Sequence, residues 1–306
     1  MKDIIYYFFI ILLAFITACS KPLSDLTILD KKGDSYFETN SNLPFSGKVF
    51  SKYDSGSNKR MGYLKNGKKD GMWIQWYENG KKEYEEHYKD GKRDGLYNSW
   101  WENGQKWSEG TYKNGILFGL YTEWYENGQK EYETTHLNED GVITQTSWYE
   151  NGQKESEVNY KNGVHHGLSI SWYQNGNKWS VDEYKDGKLI GTSTSWFVNG
   201  QKKGEGSYKN GKEDGLWIGW WESGEKWSED FYEDGEFYGI CTKWYKNGQK
   251  MNEGSYKNGK EEGVWKNWWW NSNKSYEGIY ENGSLVKLVG RWNEDGTEKE
   301  EPFWWE

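Results

Sequence analysis

"WYENGQK" occupies residues 124–130 and returns unchanged at residues 148–154, with "WWENGQK" at 100–106 and "WYKNGQK" at 244–250. Laid in register, tryptophan falls at 76, 100, 124, 148, 172, 196, 220, 244, 268 and 292, always 24 residues apart and with no insertion. An earlier unit, "SGKVFSKYDSG" from Ser46, keeps the phase with Lys52 in place of the anchor tryptophan. A fixed period of this length marks a repeat array, in which each unit is one supersecondary element stacked on its neighbours.

Other columns keep the same clock. Glycine stands five residues before the anchor at 47, 71, 95, 119, 167, 191, 215, 239 and 263, and Ile143 and Lys287 break the column. An Asn-Gly pair follows the anchor, as at Asn79-Gly80, Asn103-Gly104 and Asn127-Gly128. A second turn pair lies midway, as at Asp90-Gly91, Asn114-Gly115 and Asn162-Gly163. Asn-Gly and Asp-Gly favour two-residue hairpin turns, so each unit reads as two short strands and two tight turns, with no pattern for a helix. Two-residue turns predict that Trp124 faces Glu131, Tyr125 faces Lys130, Tyr112 faces Leu117 and Glu109 faces Leu120. The glycine before each anchor reads as a bulge or as a point of close approach for a bulky ring.

Strand alternation then divides the rings. One face is expected to hold the anchor tryptophans with Met72, Leu96, Leu120, Leu168, Leu216, Ile240 and Val264, four residues before them. The other is expected to hold the ring that follows each anchor and the tyrosines at 88, 112, 160, 184, 208, 232, 256 and 280. Aromatic residues and charges on both faces suit a long single-layer sheet, an all-β antiparallel meander of about ten hairpin repeats stabilised by neighbour contacts.

The 306-residue chain is 28% charged but 19% aromatic, and so many large rings argue against disorder. A net charge of −9 with Lys and Glu interspersed excludes the basic tract that nucleic acid requires. Residues 1–18 stand apart: Lys2, an apolar run from Ile4 to Ile16, then Thr17-Ala18-Cys19. Thirteen residues fall short of a membrane-spanning helix, and the charged start with a small-residue end fits an export signal. "ITAC" resembles the lipobox of bacterial lipoproteins, which implies cleavage before Cys19, lipidation of its thiol and anchoring of the exported chain to a membrane of the cell envelope. Cys241 is then the only thiol left, and the fold must be held by packing. The chain divides into a signal at 1–18, a linker at 19–44, the array at 45–297 and a tail at 298–306.

Strings such as "YENGQKESEVNYKNGVHHG" from Tyr149 and "EGSYKNGKEDGLW" from Glu205 resemble the MORN repeat, and more closely its variant in the bacterial YwqK-type antitoxin-like family of toxin–antitoxin systems. The resemblance covers residues 45–297. It implies successive β-hairpins in an elongated sheet, with roles in protein contact, lipid contact or toxin neutralisation. Two stretches depart from the pattern: "HLNEDGVITQTSW" from His136 lacks the usual glycine, and "WWWNSN" from Trp268 replaces Asn-Gly by Asn271-Ser272.

Chemistry is sparse. Lysine lies six residues after most anchors and glutamate nine after, with Val181 an exception. Each lysine is expected to lie beside the aromatic directly across its hairpin, as a cation–π pair. Alternation puts lysine and glutamate on opposite faces, so they are not expected to pair. His87, His136, His165 and His166 have no metal-ligand spacing, and the adjacent His165 and His166 should point to opposite faces. No phosphate loop precedes a helix, and a repeat offers no single special site for a nucleophile, so no enzyme activity, cofactor or metal is expected. Rows of Tyr and Trp suit binding. The candidate binding face is Trp101, Tyr125, Tyr149 and Tyr173, beside the small residues Ser99, Ser147 and Ser171. The function expected is a non-catalytic protein-interaction scaffold at the cell envelope, with a glycan or lipid surface as the alternative partner.

Overall fold

The computed structural model describes residues 23–136 and 141–299. The chain divides into two compact units, residues 1–130 and 131–306. Each is a single-layer antiparallel meander in which every hairpin follows the last in chain order, the all-β repeat fold expected from the sequence. A typical unit pairs a strand ending on the anchor, such as Val164–Trp172, with one that starts on the lysine, Lys178–Lys185.

The two turns of each repeat are built differently. Midway turns are the expected two-residue type: Asn114 and Gly115 take φ of 53° and 85°, and Tyr112 faces Leu117. The loop after the anchor is not. Gly152 N–H donates to Tyr149 O (2.8 Å), Tyr149 N–H donates to Gln153 O (2.9 Å), and Gly152 is left-handed while Asn151 is not. This is a three-residue loop closed by a glycine bulge. Trp148 therefore faces Lys154, not the residue after it, and Tyr149 bonds Gln153, not Lys154. A second bulge at Glu155 restores the register, so that Ser147 faces Ser156 as two-residue turns would have placed them. The two offsets cancel, and beyond them these two strands keep the expected pairing, as Gln145 with Val158. At Trp268, Ser272 takes the left-handed position with φ 73° and the loop closes in the same way.

The glycine before each anchor is a bulge. Gly71, Gly119 and Gly263 have φ of 73°, 77° and 74°, and a Cβ added at any of them would meet nothing within 4 Å. Backbone conformation, not crowding, selects glycine there. The bulge moves Glu109 opposite Thr122 instead of Leu120.

The apolar column four residues before the anchor is not the core. Met72 and Leu96 are 47% and 58% exposed, and Leu120, Leu168, Leu216, Ile240 and Val264 are likewise open. The next residue of each repeat is more enclosed: Trp73 is fully buried, Cys241 nearly so, and Tyr97, Tyr121, Trp217 and Trp265 are half-buried. Trp217 packs edge-on against Tyr208 (5.1 Å) and Tyr232 (6.4 Å), and Trp265 does the same with Tyr256 (5.0 Å) and Tyr280 (6.3 Å). Phe237 bridges Tyr232 and Tyr256 at 4.6 and 4.9 Å. The tyrosine column thus forms a ladder with rings from the adjacent strand, each pair worth about 1 kcal/mol beyond its area.

Within the stretch read from the sequence as a linker, residues 24–37 carry structure. Ser24–Asp25 pairs in parallel with Val49 and Phe50, and Asp30–Lys32 forms a hairpin with Ser35–Phe37. Leu26, Leu29 and Tyr36 pack on the buried cluster Phe45, Val49, Leu64 and Trp73. A terminal repeat lacks one neighbour, and this segment covers what that neighbour would have covered.

Candidate functional site

Of the four rings chosen as a binding face, three are joints between repeats. Tyr149 OH donates to Trp172 O (2.8 Å), Tyr173 OH to Trp196 O (2.9 Å) and Trp101 Nε1 to Trp124 O (3.0 Å). Tyr125 is half-buried like the others. Tyr77 and Tyr245 repeat the bond with Trp100 O and Trp268 O. The neighbouring serines pair across strands: Ser99 with Ser108 (2.6 Å), Ser147 with Ser156 (2.8 Å) and Ser171 with Ser180 (2.9 Å). Cys19, the expected lipidation site, lies outside the described residues.

The charged columns do pair, contrary to the parity argument. The bulge at position seven puts Lys and Glu on one face, giving Lys82–Glu85 (2.5 Å), Lys154–Glu157 (2.6 Å) and Lys274–Glu277 (2.7 Å). The cation–π contact is also placed elsewhere: each lysine lies over the anchor of the following repeat, Lys82 over Trp100 (5.6 Å), Lys154 over Trp172 (5.6 Å) and Lys274 over Trp292 (5.1 Å). Such half-exposed contacts contribute about 0.5–1 kcal/mol each and act by repetition.

One buried polar cluster interrupts the ladder. Glu86, only 3% exposed, accepts from Arg93 Nε (2.7 Å) and Tyr88 OH (2.8 Å), with Lys69 Nζ at 3.6 Å. Lys69 takes a ladder position, 4.7 Å from the Trp73 ring and 4.3 Å from that of Tyr88. Burial pulls the Lys69 ammonium below its usual range, against the Glu86 carboxylate that holds it charged. Burial, then the hydrogen bond to Glu86, pushes the Tyr88 hydroxyl well above the ordinary phenol range. Every member is satisfied by another, as a polar insert in a core must be. Burial pushes the Cys241 thiol up to about 11. His165 joins the ladder between Tyr160 (4.7 Å) and Tyr184 (4.8 Å), while His166 lies 3.6 Å from Asp186. Among the described residues no group of three or more His, Cys, Asp or Glu is arranged to hold a metal ion.

Two surfaces remain open for contact. The exposed apolar column lines shallow depressions, as where Leu96 and Leu120 flank Asn98, Glu109 and Thr122 in a volume of about 330 Å³. On the loop edge of the second unit, Phe197, Trp221 and Trp227 line a cleft of about 520 Å³ with Lys203, Glu222 and Lys246. The sequence alone could have flagged this cleft only through its departures from the repeat, because the repeat columns hide it.

Comparison with known proteins bears on the repeat. Residues 69–90, 93–114, 119–138, 142–162, 166–186 and 237–258 match the family described as MORN repeat variant. No curated protein matches the chain. Among solved structures, one described as the crystal structure of TcdB2-TccC3-Cdc42 aligns with 88% of this chain and 19% of its own at 9% identity, with a TM-score of 0.19. This chain spans about a fifth of that one, and the likeness bears on neither fold nor function. Six of the 24-residue units are similar to the MORN repeat variant, and a repeat scaffold for binding is the function that similarity suggests.

Proposed function

We propose that the chain is a non-catalytic scaffold of the bacterial cell envelope, held to a membrane by lipid on Cys19, and that its partner is a protein. The observation that supports this most is the exposed apolar column, Met72, Leu96 and Leu120 in the first unit and Leu168, Leu216, Ile240 and Val264 in the second. A side chain set in the same frame by most repeats, with Thr144 and Thr192 the exceptions, and left half-open to water is a row of apolar contacts, as protein interfaces use. The YwqK-type resemblance adds that capture neutralises the partner.

A photo-crosslinking residue at Leu96 or Leu216 tests the reading in the native host. A single stoichiometric protein adduct from these positions, and none from the opposite-face positions Tyr97 or Trp217, is the expected result. No adduct, or the same adducts from both faces, would sink it. Labelled fatty acid should enter the wild-type chain, and Cys19→Ala should release it from the membrane fraction. A neighbouring gene whose toxicity this chain relieves would carry the neutralisation reading.

A further inference from the structure

Two lysines break the repeat, Lys243 and Lys246, and they fall beside a third, Lys203. Seven residues after the anchor the chain carries Glu at 83, 131 and 155, Trp at 107, 179 and 227, and lysine at 203, as also at 59 and 299. Two residues after it, Glu stands at 78, 102, 126, 150, 222 and 294, and lysine at 246 alone. Just before it, serine stands at 99, 147, 171 and 195, and lysine at 243 alone. Lys203 and Lys246 line the loop-edge cleft. Lys243 Nζ lies 5.6 Å from the Trp227 ring, Lys246 Nζ 5.5 Å from Trp221 and Lys203 Nζ 5.9 Å from Phe197. The ion pairs of the neighbouring repeats use Lys202, Lys226 and Lys250 instead. In a chain of net charge −9, a local surplus of cations against Glu222 is a departure that the fold does not require.

The aromatic walls are set in place by a third departure. Gly219 stands in the serine column, and a Cβ there would meet Trp227 Nε1 at 2.2 Å. Glycine is what lets that indole lie against the sheet. Trp221 is pinned by its own bond from Nε1 to Trp244 O (3.3 Å), and the two indoles meet at 5.9 Å with a tilt of 52°. Rigid indoles give large contact area at little conformational cost. The cleft's size lies within the span of small-ligand sites, about 300–1,000 Å³. A protein partner needs roughly 800 Å² of surface on each side.

We propose that this cleft binds one ring of a carboxylate-bearing sugar. The apolar C–H face of the pyranose lies on Trp221 and Trp227. Its carboxylate meets Lys203 and Lys246, and Glu222 accepts from a ring hydroxyl. Tilted aromatic walls with cations at the rim and a single acid fit that combination of apolar face, negative charge and hydroxyls. The site shares no residue with the exposed apolar column and does not depend on the scaffold reading.

The full chain would be titrated with trigalacturonate, maltotriose and triglutamate, read by saturation-transfer NMR and calorimetry. Trigalacturonate should bind saturably and about tenfold or more tighter than either of the others. Lys203→Glu with Lys246→Glu installs a residue the same columns carry in other repeats, so melting should be unchanged while trigalacturonate affinity falls about tenfold or more. Gly219→Ser, the commonest residue of its column, should displace the Trp227 ring and weaken binding of the same probe. The proposal is overturned if wild type gives no saturable binding, if maltotriose or triglutamate binds as tightly, or if the folded double-lysine variant binds like wild type.

Discussion

At the scale of single residues, packing follows a rule of complementary size across strands. Where the buried position holds an indole, the facing strand holds glycine. A Cβ on Gly62 would meet the Trp73 ring at 2.2 Å, one on Gly206 the Trp217 ring at 2.0 Å, and one on Gly254 the Trp265 ring at 2.1 Å. Where the same position holds serine, half-buried, the partner is larger, as Val158 opposite Ser169. Gly206→Val should therefore destabilise by about 1–3 kcal/mol and Trp217→Ser by about 3–5 kcal/mol. The double variant recreates the Val158–Ser169 pair and should recover part of that loss, a coupling of about 1–3 kcal/mol in a urea-denaturation cycle. Strict additivity would show that the pair does not compensate. This rule also explains why the enclosed column is not legible in the sequence: it is varied because it compensates, whereas the mostly aliphatic column before it is exposed.

At the scale of the element, one dipeptide serves two geometries. Asn210 is left-handed at φ 55°, in a two-residue turn. Asn199 is not left-handed, and its side chain accepts from Gln201 N–H (2.9 Å) and donates to Glu222 O of the next loop (3.0 Å). Asn210→Gly should change stability by about 0.5 kcal/mol or less, because glycine adopts that φ freely. Asn199→Gly should cost about 1–2 kcal/mol, because two hydrogen bonds are lost. Thermal melts of the two variants, run side by side, would refute the assignment if the order were reversed. The asparagine ladder, with Asn151 to Gln174 O and Asn247 to Trp270 O among its rungs, ties each loop to the next.

At the scale of the whole chain, the 24-residue period becomes a unit of deletion. Removing residues 173–196 joins Trp172 to Phe197 in phase and should leave a cooperative fold with a smaller urea m-value. Removing twelve residues from the same point joins strands out of phase and should abolish it, since a broken register buries the wrong side chains. If both deletions fold equally well, the phase does not govern the array. Alkaline pH should weaken the fold. Burial raises Cys241 to about 11, and burial followed by Asp230 raises Tyr232 to about 12. Both groups are neutral in the fold, so their contribution is complete below pH 9, where the unfolded thiol starts to ionise, and is lost as pH rises toward 12. The urea midpoint should be lower at pH 11 than at pH 8, and an equal midpoint would contradict these shifts.

The sequence by itself determined the period, the strand count per repeat, the midway turns and the meander, because these depend on local φ preference and spacing. "WYENGQK" marks a loop in every copy. Only the tertiary structure decided what that loop does. Its glycine closes a three-residue loop, and its lysine, shifted by a bulge, pairs with a glutamate and covers the next repeat's tryptophan. The bulge after that lysine adds one residue without any composition signal, and it changes which side chains share a face. For the same reason the exposed leucines, the tyrosine joints and the lysine-rimmed cleft were assigned by cross-strand register, a property of paired strands rather than of any one stretch of chain.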